Sequence, residues 1–266
     1  MSDQVTAMSE NPLSVERRGA VALLTLNRPD HANVLNIPMA RALLDTAIGL
    51  ERDASVRAVV LTGAGKHFCF GGDLRGMMAE GGAVDGYLRE LTSYLHTALA
   101  HFVRMDAPVV AAVNGTAAGG GVGIVCAADL AVCGASSKFS LAYTGVALTP
   151  DCSTSFFLPR LVGQRRALEL ILTNRALTAQ EALEWGLVNQ VVADAEVVNA
   201  ALQLAERLAG GPRRAFGKSK RLLLGAAGAL EAQLALESQT IARQAASGEG
   251  QEGIKAFLDK RKPRFL

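Results

Sequence analysis

Short runs of valine, leucine and alanine alternate along the chain with longer segments of helical period, and this alternation limits the possible folds more than any other feature. Such brief, continuous apolar runs suit strands buried on both faces, which a sheet obtains when helices cover it, so the chain reads as α/β. Val21–Leu26 follows a turn at Arg18-Gly19, and Val56–Thr62, Val109–Val113, Leu130–Cys133 and Val188–Val192 have the same character. Between them, Ile37–Arg52 carries a helical period behind Asn36, a good N-cap, with Pro38 just inside its start. Tyr87–Met105 is a second helix, ended by Asp106-Ala107-Pro108, and another runs around Arg165–Leu172. Thr178-Ala-Gln-Glu181 forms a capping box for a short helix that stops at Gly186.

From Ala195 to Phe257 and Lys260 the chain is alanine- and leucine-rich with helical period. Its alanine-lined faces call for a partner surface, such as another subunit. Neither a low-complexity linker nor a short repeat interrupts the 266 residues, so one large domain with a helical appendage is expected.

A net charge of +2 gives no chain-wide attraction for nucleic acid and no basic block for a membrane surface. No run approaches the ~20 apolar residues of a membrane span. Met1 to Pro12 carries acids and no apolar core, which argues against a signal peptide. Cys69, Cys126, Cys133 and Cys152 form no CxxC pair and read as core, as does Trp185; the histidines form no HExxH motif. A reducing cytoplasm and no metal site are therefore expected.

Two glycine-rich turns fall where a buried strand gives way to a helix. One is Gly63-Ala-Gly-Lys-His-Phe-Cys-Phe-Gly-Gly-Asp73-Leu74; the other is Asn114-Gly-Thr-Ala-Ala-Gly-Gly-Gly121. Free amides at a helix start favour negative charge, and glycine lets a ligand approach the backbone, though such glycines also serve tight turns and close packing. Neither loop has a Walker A or GxGxxG spacing, which removes the nucleotide-phosphate and dinucleotide readings.

The ordered set Leu26-Asn-Arg-Pro-Asp-His-Ala-Asn33, Phe68-Cys-Phe-Gly-Gly-Asp73-Leu74, Ala111-Ala-Val-Asn-Gly-Thr-Ala-Ala-Gly-Gly-Gly121 and Ala182-Leu-Glu-Trp-Gly-Leu-Val-Asn189 resembles the enoyl-CoA hydratase/isomerase (crotonase) family from about Val15 to Pro263. The resemblance implies a crotonase (ClpP/crotonase) spiral of ββα units in two roughly perpendicular sheets over residues 1–195. Residues 196–266 would form a C-terminal helical trimerisation region. It also implies that the Gly72 and Gly120 amides form an oxyanion hole, stabilising the negative charge that reaches a thioester oxygen as an enolate forms.

Hydratases of this family use two glutamates, and the matching positions here are Gly123 and Tyr143. Without those acids, water addition lacks its acid–base groups. The segment Gly145-Val-Ala-Leu-Thr-Pro-Asp151-Cys-Ser-Thr-Ser-Phe-Phe-Leu-Pro-Arg-Leu-Val-Gly163 instead resembles the isomerase branch, including Δ3,Δ2-enoyl-CoA isomerases and the epoxide-to-oxepin acyl-CoA isomerase of the phenylacetate pathway. Those enzymes place an acid where Asp151 stands. Asp151 is thus expected to be a single proton shuttle, walled by Phe156 and Phe157, with helix capping as its alternative role. Tyr143 is expected either to hydrogen-bond substrate or to pack, and Gly123 to leave room for a ring or branched acyl chain.

For coenzyme A, part of the substrate rather than a separate cofactor, the resemblance implies Arg28, His31 and Ala32 in one loop and Cys69, Phe70, Gly72, Asp73 and Leu74 in the other. Phe257 and Lys260 come from the last helix, while Lys66 and His67 could face phosphate. Asp73 is expected to organise its loop through backbone hydrogen bonds, and Asp129 to be structural. The whole reads as an acyl-CoA isomerase, assembled as a homotrimer or a dimer of trimers. Enoyl-CoA hydration with atypical residues and non-catalytic acyl-CoA binding are the alternatives.

Overall fold

The structure is a computed structural model and describes residues 11–225 and 228–264. The acid-bearing N-terminal segment and the alanines at 226 and 227 lie largely or wholly outside the described residues.

Along the chain run β1 (Leu13–Arg18), β2 (Val21–Leu26), α1 (Ile37–Arg52), β3 (Ala58–Gly63), β4 (His67–Cys69), α2 (Leu74–Ala79), α3 (Val84–Arg104), β5 (Val109–Val113), β6 (Thr116–Ala118), α4 (Gly120–Ala127), β7 (Leu130–Gly134) and β8 (Lys138–Ser140). They are followed by α5 (Thr154–Val162), α6 (Gln164–Thr173), β9 (Leu177–Thr178), α7 (Ala179–Glu184), β10 (Gln190–Val192), α8 (Val197–Ala209), α9 (Arg213–Leu224), α10 (Gly228–Ala246) and α11 (Gly248–Leu258).

A six-stranded sheet has the order β1-β2-β3-β5-β7-β10, parallel except for the β1–β2 pair. A four-stranded sheet has the order β4-β6-β8-β9, with β8–β9 antiparallel. In each of the successive pairs β3–β4, β5–β6 and β7–β8, the first strand joins the large sheet and the second the small one, before the chain turns into a helix. The chain therefore spirals through ββα units, as expected.

Every residue of β3 and β5 is buried because both faces of the large sheet are covered. Alternate side chains Val59, Leu61, Ala111 and Val113 face the main core, which includes residues of α1, α3 and α4. Their neighbours Ala58, Val60, Val110 and Ala112 meet Ala201, Leu202 and Ala205 of α8. The small side chains of α8 thus meet a partner surface within the chain, where they let the helix lie close on the sheet. The α10 helix runs along α3, where Thr92 Oγ1 and Ser238 Oγ approach to 2.6 Å.

Local signals set several boundaries. Asn36 caps α1 by accepting the Met39 N–H at 3.1 Å, and the Thr178–Glu181 capping box is formed in both directions. β10 begins two residues later than the apolar run, because the Leu187 and Val188 amides bond back to Ala182 O to close α7. The exposed edge strand β1 was not singled out in the sequence. Among the described residues, no helix is long and apolar enough to cross a membrane.

Candidate active site

The two glycine loops meet backbone to backbone. Leu35 N–H donates to Gly71 O at 2.7 Å and Asp73 N–H donates to Leu35 O at 3.0 Å. That bridge leaves the Gly72 N–H on the opposite side, where Gly72 lines a cavity of about 340 Å³. Gly71 has φ +79°, and a Cβ on it would stand 2.9 Å from both Ala118 O and the Gly120 nitrogen. Gly120 is the first residue of α4, so its N–H has no acceptor within the helix. A Cβ on Gly120 would stand 2.7 Å from Cys152 Sγ. Glycine at these positions thus lets the 71–72 loop, the start of α4 and the 151–153 turn converge.

Asn33, wholly buried, fixes the flanking loop, and the sequence reading gave it no role. Its side chain accepts from the Arg28 amide at 2.9 Å and donates to Ala64 O at 2.9 Å and His67 O at 2.8 Å. A buried amide that uses both ends ties the 28–33 segment to the first glycine loop.

Asp151 lines the same cavity and is only 7% exposed. The Tyr143 hydroxyl, also buried, donates to Asp151 Oδ1 at 2.6 Å. Burial and the neighbouring Asp151 hold the Tyr143 phenol well above its ordinary pKa, so it remains a donor. Asp151 is the sole carboxylate among the described residues lining the cavity, whose walls include Leu35, Leu95, Leu141, Leu148 and Ile241.

Two further buried polar residues stand behind this turn. His96 of α3 accepts the Cys152 N–H at Nε2 over 3.3 Å, and burial lowers its pKa. Its ring nitrogen, an Asp151 carboxylate oxygen and Cys152 Sγ all lie within 4.8 Å of one another. Glu237 of α10, 3% exposed, accepts from Ser153 N at 2.7 Å and Ser155 N at 3.1 Å. Burial pushes its carboxyl up to about 7. Neither residue was legible as a site residue, since each sits in an amphipathic helix far along the chain from Asp151. A lone polar residue at a core-facing helical position was the available signal.

Several expectations are corrected. Asp151 does not cap α5: the N-cap position is Ser153, with no side-chain cap bond of its own, and Glu237 takes the nearby amides. Phe156 and Phe157 do not wall Asp151. They line a separate cavity with Phe216 and Leu223, and the Arg160 guanidinium lies 3.7 Å from the Phe156 ring centroid. Gly123 opens no space for an acyl ring, because a Cβ there would meet Cys152 O at 2.4 Å and Thr154 Oγ1 at 2.8 Å. The 152–154 turn fills the place of the family glutamate. Tyr143 directs its hydroxyl to Asp151. Trp185 is only part-buried, with the Arg166 and Arg175 guanidinium groups each 4.7 Å from its ring centroid.

Of the residues expected to meet coenzyme A, Phe70, Gly72, Leu74 and Phe257 line the cavity. Phe70 and Phe257 are 40% and 60% exposed, so apolar rings reach solvent beside the opening. His67 packs its ring 4.5 Å from Phe70, and Lys66 is exposed. Ala32 O accepts the Phe70 N–H at 3.1 Å, His31 is exposed in a short 3₁₀ turn, and Cys69 is wholly buried. Arg28 donates to Val34 O at 3.0 Å and pairs with Asp73 at 3.5 Å. Asp73 also caps α2 by accepting Gly76 N–H at 3.1 Å, the loop-organising role expected of it. Lys260 follows α11, exposed, and does not line the cavity. Asp129 accepts Val109 N–H at 2.8 Å and pairs with Lys220 at 2.7 Å, away from the cavity.

Residues 16–266 match the family model described as Enoyl-CoA hydratase/isomerase. A relative from Escherichia coli K12 named 1,2-epoxyphenylacetyl-CoA isomerase is 37% identical across 97% of this chain and 99% of its own. A relative from an Arthrobacter species named 4-chlorobenzoyl coenzyme A dehalogenase-2 is 35% identical across 96% of this chain and 94% of its own. The solved enoyl-CoA hydratase/isomerase of Pseudoalteromonas atlantica T6c superposes with a TM-score of 0.84 at 35% identity, covering 96% of this chain and 100% of that one. The chain belongs to the enoyl-CoA hydratase/isomerase family of enzymes and has the crotonase fold.

Proposed function

We propose that this enzyme isomerises an unsaturated or epoxidised acyl-CoA through a thioester enolate. The Gly72 and Gly120 amides hold the thioester oxygen as charge moves onto it. For a 3-enoyl thioester, the Asp151 carboxylate takes a proton from C2 and the protonated acid returns one to C4 of the dienolate, leaving the 2-enoyl product. The observation that carries this reading is that Asp151 is the sole carboxylate among the described residues lining the cavity, while the two hydratase positions hold Gly123, packed shut, and Tyr143. Coenzyme A enters as part of the substrate, with Phe70, Leu74 and Phe257 beside its path, and no separate cofactor is invoked. The reading places the enzyme in the cytoplasm as a homotrimer or a dimer of trimers; Leu222 and Leu223 of α9, 82% and 90% exposed, support such an assembly.

A second reading rests on His96. A neutral imidazole close to a buried carboxylate suits hydrolytic dehalogenation of an aryl-CoA, and the Arthrobacter relative is named a 4-chlorobenzoyl coenzyme A dehalogenase. Asp151 would attack the ring carbon and expel halide. His96, on giving up the Cys152 amide, would then deprotonate the water that cleaves the resulting aryl ester, releasing the phenol and restoring the carboxylate.

Purified enzyme assayed on a 3-enoyl-CoA, on crotonyl-CoA and on 4-chlorobenzoyl-CoA separates these readings. Double-bond migration without water addition or chloride release is expected. Chloride release would favour the second reading, hydration would overturn both, and binding without turnover of these three or of an epoxidised acyl-CoA would indicate a ligand-binding protein.

A further inference from the structure

The turn that presents Asp151 adopts a conformation that its residues do not favour. Cys152 and Ser153 have φ of +51° and +63°, although neither is glycine. Such a backbone persists where its surroundings over-determine it. The start of α5 that follows lacks a side-chain cap of its own.

The restraint comes from two other helices. One oxygen of Glu237 accepts the Ser153 amide at 2.7 Å; the other accepts the Ser155 amide at 3.1 Å and the Ser155 hydroxyl at 2.5 Å. Gln233, one helical turn earlier, donates to that hydroxyl at 2.5 Å. From α3, His96 Nε2 accepts the Cys152 amide at 3.3 Å. The amides of residues 152, 153 and 155 are thus all held by side chains from elsewhere in the fold. The ionised form of Glu237 suits this place because it offers two acceptor oxygens and no donor, and it lies at the amide end of a nine-residue helix.

We propose that Glu237 is a positioning residue for Asp151. It fixes the 152–155 turn from outside and thereby aims the Asp151 carboxylate into the cavity, which makes α10 part of the active-site machinery. This inference rests on the reading of Asp151 as the working acid–base group.

A double-mutant cycle tests it. Wild type, Glu237→Gln, Asp151→Asn and the double variant are compared for kcat, KM and melting temperature on the isomerase substrate. Glutamine keeps the shape of glutamate but turns a donor towards one of the two amides. Glu237→Gln is expected to lower kcat by about ten- to a hundredfold with KM within about threefold, and to add nothing once Asp151 is replaced. Ser155→Ala, which removes one bond to Glu237 and leaves the carboxylate in place, is expected to lower kcat by about two- to fivefold, again only while Asp151 is present. Equal losses in both Asp151 backgrounds, or a lower melting temperature with full kcat, would overturn the positioning role alone. Wild-type turnover in Asp151→Asn would overturn the reading of Asp151 and this inference with it.

Discussion

The Tyr143 hydroxyl donates a 2.6 Å hydrogen bond to Asp151 Oδ1, and both side chains are buried. A short bond from a phenol into a carboxylate favours one orientation of that carboxylate. Tyr143→Phe removes this bond with little change of shape. The variant is expected to fold and to lose about ten- to a hundredfold in kcat, the scale of one hydrogen bond to a charged group. Steady-state kinetics at a pH well below the phenol titration check this.

Gly120→Ala places a methyl 2.7 Å from Cys152 Sγ and 3.1 Å from Leu35 Cδ1, at the amide assigned to the oxyanion hole. It is expected to lower kcat by about a hundredfold or more and stability by about 1–3 kcal/mol. Gly82→Ala, where nothing lies within 4 Å, is the control and should leave both unchanged. Turnover and urea denaturation of the two variants provide the comparison.

Gly123→Glu restores a family glutamate on paper but not in space. The side chain would have to displace Cys152 O and Thr154 Oγ1, which stand 2.4 Å and 2.8 Å from the required Cβ. The expected result is no gain of hydration on crotonyl-CoA and a destabilisation of about 2–4 kcal/mol from overpacking and a buried acid. A hydration assay with a thermal melt on the same sample checks both parts.

Glu237 gives a pH signature. Its folded carboxyl titrates at about 7, raised chiefly by burial from an ordinary 4.5, so the folded state holds the proton more tightly than the unfolded state. The associated stability is fully present below pH 4.5 and is lost as pH rises through 7. Relative to wild type, Glu237→Gln should therefore become progressively more stable across that window, by up to about 3 kcal/mol. Urea denaturation of both proteins at several pH values measures the difference; a gap that stays constant with pH would contradict this assignment.

Much of the fold was legible because its signals are local. Asn36 before Ile37-Pro38, the Thr178–Glu181 box and the run Val109–Val113 each carry their structural instruction within a few residues. The glycine loops and Asp151 were legible as well, through ordered motifs. What the sequence concealed depends on contacts distant along the chain. Gly123 looked like open space until the 152–154 turn was seen lying on it. Phe156 and Phe157 follow Asp151 closely, yet the turn and the helix after it carry them to a different cavity. His96 and Glu237 reach Cys152, Ser153 and Ser155 from two other helices, and helical period marks such positions only as inward-facing. The alanines of α8 signalled close packing without saying whether the partner was another chain or, as found, the sheet of their own.

The proton-shuttle role of Asp151 is tested by a parallel measurement of wild type and Asp151→Asn on a 3-enoyl-CoA and on crotonyl-CoA, with isomerisation and hydration followed separately and binding measured alongside. Asparagine keeps the size and polarity of the buried side chain but cannot carry a proton between C2 and C4. Isomerisation is expected to fall by about two orders of magnitude or more while substrate affinity is kept. Isomerisation at the wild-type rate in Asp151→Asn would contradict that role.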